Sequence, residues 1–217
     1  MPVHDRDERE GLESLKEIAR ADAEDRSRGL AATFAERATE HGVVDVAYGF
    51  ADSPFGPLLV ALTRRGLVKL DYPDRDFDVE LEELAARVSP RILESTTATE
   101  AVRRQLDEYF DGRRRRFDVP IDLSLSAGFS RRILSATARI PFGSVATYRE
   151  VASRAGNPKA TRAAGNALGS NPIPIVVPCH RVVRTGGGLG GYTGGLDRKV
   201  ALLRLEGALE AGSPTRA

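Results

Sequence analysis

From Ile173 to Val183 the chain reads IPIVVPCHRVV, and no other segment constrains the fold as strongly. A short apolar, β-branched run bounded by breakers predicts a buried strand, which Pro178 ends. Cys179 and His180 then lie at the mouth of that strand beside the cationic Arg181. The next segment, Arg184 to Gly195 (RTGGGLGGYTGG), is a glycine-dense loop able to fold closely around a flat ligand with its backbone amides as donors. It lacks the Gly-Lys-Ser/Thr ending of a phosphate loop and the strand-turn-helix frame of a dinucleotide site.

Cys179 is the single cysteine in 217 residues, and histidine occurs only at 4, 41 and 180. An internal disulfide is excluded and a zinc site of Cys and His is hard to assemble, so the expectation is no metal and no cofactor. The fold must therefore rest on a hydrophobic core, which a chain of this length can supply. Hydrophobic residues make up 41% and charged residues 29%, the balance of a soluble globular protein. No apolar run approaches the roughly 20 residues of a membrane span. The opening MPVHDRDEREGLESLKE has no secretory pattern, so the expected location is the cytoplasm, with no membrane partner.

The net charge of +1 conceals a gradient. Residues 1–42 carry 7 basic and 11 acidic side chains, residues 43–127 carry 12 and 16, and residues 128–217 carry 13 and 4. A basic C-terminal part attached to acidic segments suggests a face for a polyanion, for which nucleic acid is the common partner, although an ordinary basic surface accounts for the same numbers.

Periodicity divides the chain. Residues 1–42 read as a polar helical or partly disordered extension with a thin stripe at Leu12, Leu15 and Ile18. Residues 43–123 read as an α/β domain of about four strands and two helices, with a hairpin of Leu58–Thr63 and Leu67–Tyr72 about Arg64-Arg65-Gly66. The helices are expected at Val79–Val88 and Thr99–Phe110, and alternation resumes at Phe117, Val119 and Ile121. Residues 128–210 read as mostly helical, followed by a tail at 211–217. After a helix at Phe129–Ala138, Thr147 and Glu150 form a capping box at the start of the next. Gly156-Asn157 turns the chain into a second helix from Pro158, placed at the first helical position, to about Gly169. Two short helices joined by a glycine-containing turn make a helix-turn-helix. The small residues Ala163, Ala164 and Gly165 on the second helix suit either close packing or backbone-close approach to a minor groove.

A lone cytosolic cysteine is by default an inert buried hydrophobe. Beside an imidazole and a positive charge, the Cys179 thiol is instead biased toward thiolate, the form that attacks carbon. Glu206, in a last helix from Asp197 to about Leu209, is a candidate to orient His180.

The block from Phe142 to Gly207 closely resembles the O6-alkylguanine-DNA alkyltransferases, also called methylated-DNA–protein-cysteine methyltransferases. Pro-Cys-His-Arg-Val at 178–182 is the signature, and Asn171-Pro172-Ile173-Pro174, Gly156-Asn157-Pro158-Lys159-Ala160 and Gly190-Gly191-Tyr192-Thr193-Gly194-Gly195 stand in register. Residues 43–123, with Arg116-Phe117-Asp118-Val119-Pro120, resemble the family's ribonuclease-H-like N-terminal domain more loosely.

The resemblance implies direct reversal of DNA damage, by irreversible transfer of the alkyl group from O6-alkylguanine, with O4-alkylthymine a second candidate substrate. Cys179 would accept the alkyl group, and Glu206, His180 and a bridging water would draw off its proton. Asn171 would stabilise the turn and Tyr148 would protonate the departing base. Arg162 would fill the gap left by the extruded base, while Thr147, Ala163, Ala164 and Gly165 would lie along the minor groove. Pro174, Val182, Gly190, Tyr192 and Thr193 would form the base pocket. The expected partner is double-stranded DNA carrying alkylated bases, bound by a monomer. The chemistry agrees, because a saturated alkyl carbon calls for a sulfur nucleophile and the thioether formed has no practicable leaving group. The alternatives are a lesion-recognition protein that does not transfer, a helix-turn-helix regulator, and a thiol enzyme that turns over.

Overall fold

The computed structural model describes residues 42–209, apart from Pro73 and Arg75, together with scattered helical positions between Arg20 and Ala38. Most of the expected extension at 1–42, and the tail at 211–217, lie outside the described residues. Among the described residues no helix is long and apolar enough to cross a membrane.

The N-terminal domain is a four-stranded sheet ordered β3-β2-β1-β4. Strands β1 (Val46–Ala51), β2 (Leu58–Thr63) and β3 (Gly66–Asp71) run antiparallel in sequence, and β4 (Ile92–Glu94) joins β1 in parallel. Gly66 closes the hairpin at φ 130°, and a Cβ there would lie 2.2 Å from the Pro120 carbonyl oxygen, so only glycine fits. The fourth strand is not the alternating stretch at Phe117–Ile121, which contributes a single bridge from Ile121 to Leu67. Pro120 has no amide to donate, and its carbonyl instead accepts from Leu67 at 2.9 Å.

Helix α1 (Phe77–Arg87) covers one face of the sheet, where Leu84 joins Val46, Ala61 and Val68. Helix α2 (Thr96–Phe110) covers the other, capped by the Ser95 hydroxyl and ending at Gly112 with φ 72°. Its buried stripe, Val102, Leu106 and Tyr109, does not end at the domain boundary. It continues into Ile133, Leu134, Ile173, Val177, Cys179 and Leu202, so one core serves both domains. The two are also joined edge to loop, since the amide of Leu70 on β3 donates to the Pro172 carbonyl at 2.9 Å.

In the C-terminal domain α3 (Gly128–Thr137) packs on the helix-turn-helix formed by α4 (Tyr148–Arg154) and α5 (Thr161–Gly169). The capping box is formed: the Thr147 hydroxyl accepts from the Glu150 amide at 3.2 Å, and the Thr147 amide donates to Glu150 Oε2 at 2.6 Å. The second helix starts three residues later than expected. Pro158 lies in the connecting turn, where Asn157 Oδ1 accepts from the Lys159 amide and its carbonyl accepts from Ala160. The local asparagine turn outcompetes an early helix start. Strands β5 (Ala146–Thr147) and β6 (Val182–Val183) pair in parallel, and α6 (Leu196–Leu205) closes the domain with Glu206 as its C-cap residue rather than within the helix.

Candidate active site

The segment 173–178 is buried but is not the strand that its composition predicts. Pro172, Pro174 and Pro178 remove the amides that a ladder needs, and Ile175 turns through φ 71°, a conformation costly for a β-branched residue. The chain instead forms a compact turn that ends in one 3-10 turn, Cys179–Arg181. Asn171 pins that turn from within. Its side-chain amide donates to the Val177 carbonyl at 2.8 Å and to Cys179 Sγ at 3.1 Å, while its oxygen accepts from the Ile173 amide at 3.1 Å.

The thiol is not biased toward thiolate in this resting state. Burial pushes Cys179 up to about 11, against the opposing effects of the Asn171 hydrogen bond and the Lys199 charge. Arg181 gives the thiol little help because its guanidinium is committed elsewhere, to Glu206 Oε2 at 2.8 Å, to Glu206 Oε1 at 2.9 Å and to the Ile140 carbonyl at 2.5 Å.

His180 and Glu206 meet, with His180 Nε2 2.9 Å from Glu206 Oε1 in a wholly buried contact. Burial acts to raise the Glu206 carboxyl, but hydrogen bonds from His180 and Arg181 and their charges outweigh it and hold Glu206 at about 2. Burial lowers His180 below its usual value against the pull of Glu206. A neutral imidazole facing a carboxylate must place its proton on Nε2, which leaves Nδ1 as an acceptor. Nδ1 is buried and has no hydrogen-bonding partner among the described residues.

A cavity of about 200 Å³ opens on the thiol, lined by Tyr148, Gly165, Leu168, Gly169, Cys179, Gly191, Tyr192 and Thr193. Its size is below the roughly 300 Å³ typical of drug-sized pockets and suits a single flat ring system. The Thr193 hydroxyl donates to the Gly169 carbonyl at 2.9 Å, which ties the glycine-rich loop to α5. Pro174, Val182 and Gly190 do not line this cavity. Pro174 borders an adjoining one with Asn171 and Thr193, Val182 is enclosed in β6, and Gly190 lies under Tyr148. A Cβ on Gly190 would stand 2.7 Å from the Tyr148 hydroxyl oxygen, and its φ of 69° favours glycine.

Beside the cavity lies an open groove, lined among others by Arg149, Thr161, Arg162, Asn166, Arg184 and Thr185, and sharing Tyr148, Gly165 and Gly191 with it. Arg162 and Ala163 are exposed. Ala164 is not: with Ala167 and Leu168 it forms the buried stripe of α5, so at helical spacing it faces the core rather than a groove of DNA.

Two family matches lie along the chain: residues 46–123 to the ribonuclease-like domain of 6-O-methylguanine DNA methyltransferase, and residues 128–208 to its DNA-binding domain. The methylated-DNA–protein-cysteine methyltransferase of Mycolicibacterium paratuberculosis is 41% identical over 161 residues, 74% of this chain and 92% of its own. That of Methanosarcina acetivorans is 38% identical, covering 74% of this chain and 98% of its own. The chain belongs to the O6-methylguanine DNA methyltransferase family. The family's crystal structure from Mycobacterium tuberculosis is similar with a TM-score of 0.65 at 37% identity, covering 77% of this chain and 96% of that one. The Mycobacterium tuberculosis OGT in complex with DNA is similar with a TM-score of 0.63 at 37% identity, covering 75% and 93%.

Three further residues shape this site and carry no sequence signal of it. Lys199 is buried on α6, and its ammonium donates to the carbonyls of Val182, Leu189 and Gly191, holding the glycine-rich loop closed; burial lowers it to about 8. Tyr72 and Tyr109 come from the N-terminal domain. The Tyr72 hydroxyl lies 2.6 Å from that of Tyr192, and the Tyr109 hydroxyl donates to Glu206 Oε1 at 2.6 Å. Lys199 lies inside the block that resembles the family but outside the motifs that carry the resemblance, and Tyr72 and Tyr109 lie outside that block.

Proposed function

We propose that this chain repairs DNA by direct reversal, taking the alkyl group of O6-alkylguanine onto Cys179 in a single, irreversible event. The carbon–oxygen bond to the base breaks as the carbon–sulfur bond forms. The thiol proton leaves through a water to His180 Nδ1, and Glu206 stabilises the imidazolium. Tyr148, at the cavity rim, supplies a proton to the departing guanine, and Asn171 steadies Sγ through its hydrogen bond. A thiol kept protonated by burial stays unreactive until a base fills the cavity, which limits unproductive oxidation.

The observation that carries this reading is the continuity of cavity and groove, which share Tyr148, Gly165 and Gly191. A buried thiol beside a helix-turn-helix can meet a base only if the nucleotide is rotated out of the duplex. Arg162, exposed at the start of α5, fills the space left in the stack, and the slim surface at Ala163 and Gly165 lies in the minor groove with Thr147 at its edge. Tyr192 and Thr193 flank the flipped base, with Pro174, Val182 and Gly190 supporting them from behind. The protein acts as a monomer in the cytoplasm on double-stranded DNA, with no cofactor.

Stoichiometry tests the proposal. With a duplex containing one O6-methylguanine in excess, restored guanine should level off at one equivalent per protein. Continued turnover would identify a thiol enzyme, and binding with no restoration a lesion-recognition protein.

A further inference from the structure

We propose that Tyr109, on α2 of the N-terminal domain, is a positioning residue of the alkyl-transfer site, setting through Glu206 how strongly His180 holds a proton. The proposal rests on the relay described above. Glu206 Oε1 accepts three hydrogen bonds, from the Tyr109 hydroxyl at 2.6 Å, His180 Nε2 at 2.9 Å and Arg181 Nη2 at 2.9 Å, while Oε2 takes Arg181 Nε at 2.8 Å. Tyr109 makes the shortest of the four. An ionised carboxylate is an acceptor only, so the phenol must be the donor. Its burial and the neighbouring carboxylate both raise Tyr109, which keeps the proton on the phenol oxygen at any working pH.

Arg181 alone already fixes the plane of the carboxylate by its two-point contact. Tyr109 does something else, because it shares one oxygen with His180. Every donor on Oε1 draws charge from it, and the less charge remains, the less the carboxylate favours imidazolium over imidazole. During transfer His180 must take the thiol proton and yet be neutral beforehand. A carboxylate without Tyr109 would hold the imidazole more strongly in its protonated form, unable to accept from the thiol.

The charged and titratable groups around this point are few. Tyr109 approaches from α2, His180 and Arg181 from the 3-10 turn, Tyr192 sets its ring at right angles to that of His180 from the glycine-rich loop at a centroid distance of 6.3 Å, and Lys199 acts on both His180 and Cys179 from α6. The Tyr109 ring is held independently of its hydroxyl, against Phe110, Phe117 and Phe142 at centroid distances of 5.3, 5.3 and 6.2 Å. Removing the hydroxyl therefore leaves the packing in place.

The test is nitrogen-labelled histidine NMR on the full chain, which has only three histidines to assign, together with the pH profile of methyl transfer. Tyr109→Phe should raise the His180 titration by about one unit, since one hydrogen bond to a charged group shifts a protonation balance about tenfold. The acid limb of the transfer rate should move up by the same amount, with the rates converging at alkaline pH. Replacing Tyr109 with 3-fluorotyrosine, a stronger donor of nearly the same shape, should move both in the opposite direction. A His180 titration and acid limb unchanged in both variants, whatever happens to melting temperature, would overturn the proposal and leave Tyr109 a packing residue. The NMR arm reads His180 without any reaction, so inactivity of the unmodified protein would count against the relay's assigned function and not against the Tyr109 contact.

Discussion

The two sides of the cavity are built on opposite principles. On the inner side Asn171, Cys179, His180, Arg181, Lys199 and Glu206 are all buried and bonded to one another or to backbone carbonyls. On the outer side Arg149, Arg162 and Arg184 line an open groove on α4, α5 and the start of the glycine-rich loop. A buried ionic group left without its partner is costly, so the inner side ties chemistry to stability. The outer side leaves its charges in solvent, where on the proposed function they meet phosphates and bases. Substitutions on the two sides should therefore differ in kind.

The largest effect is expected from Glu206→Gln. It leaves Arg181 buried without its carboxylate partner, a loss on the order of 3–5 kcal/mol, and calorimetry should show melting lowered by roughly 6–20 °C. Transfer should slow by about 10²–10⁴-fold in a single-turnover assay. The same variant carries a pH signature. A carboxyl held at about 2 in the folded protein, against 4.5 ordinarily, contributes stability above pH 4.5 that is lost as the pH falls toward 2. The unmodified protein should lose on the order of 3 kcal/mol across that window, and Glu206→Gln should not.

Arg162→Ala sits on the other side. It should slow transfer from duplex DNA by about 10–100-fold, the equivalent of a few kcal/mol of base extrusion, while the melting temperature and the rate with free O6-methylguanine base stay unchanged. Equal slowing on both substrates would break the division. Gly190→Ala lies at the boundary: its Cβ would collide with the Tyr148 hydroxyl from a left-handed backbone. Displacing Tyr148 with a strain of about 1–2 kcal/mol should cut transfer by about tenfold with a small loss of stability. Arg149→Ala and Arg184→Ala should have the smallest effect, each lowering the salt dependence of duplex binding by about one phosphate contact.

Much of the inner side was legible in the sequence because its chemistry is local. Cys179 and His180 are adjacent and their residue types state their roles, while Asn171, eight positions before the cysteine, was named through the family resemblance. Glu206 could be named as an orienting candidate, though only the fold shows it reaching His180. The hairpin at Gly66, the capping box at Thr147 and the stop at Gly112 were also readable, since each is set by a single residue's backbone or cap preference. The errors share a cause, the overriding of local pattern by chain geometry. Ile173–Val177 has strand composition, but three prolines deny it a ladder. Ala164 has the size to lie on DNA, but its helical phase turns it inward. The thiolate expectation counted the neighbouring charge of Arg181 and not its commitment to Glu206, nor the burial of the sulfur.

Tyr72 and Tyr109 were illegible for a different reason. Each reads as an ordinary aromatic core residue of the N-terminal domain, and each reaches a site side chain with its hydroxyl. Long-range docking of one domain on the other creates those contacts, and neither motif nor periodicity reports it.

The most direct test of alkyl transfer to Cys179 is intact-protein mass spectrometry after incubation with a duplex holding one O6-methylguanine, beside an unmodified duplex and a Cys179→Ser control. The account predicts a mass gain equal to one methyl replacing one hydrogen, mapped to the peptide containing Cys179, saturating at one per protein and missing from both controls. Tight lesion binding with no gain, or a methyl group on any other residue, would contradict it.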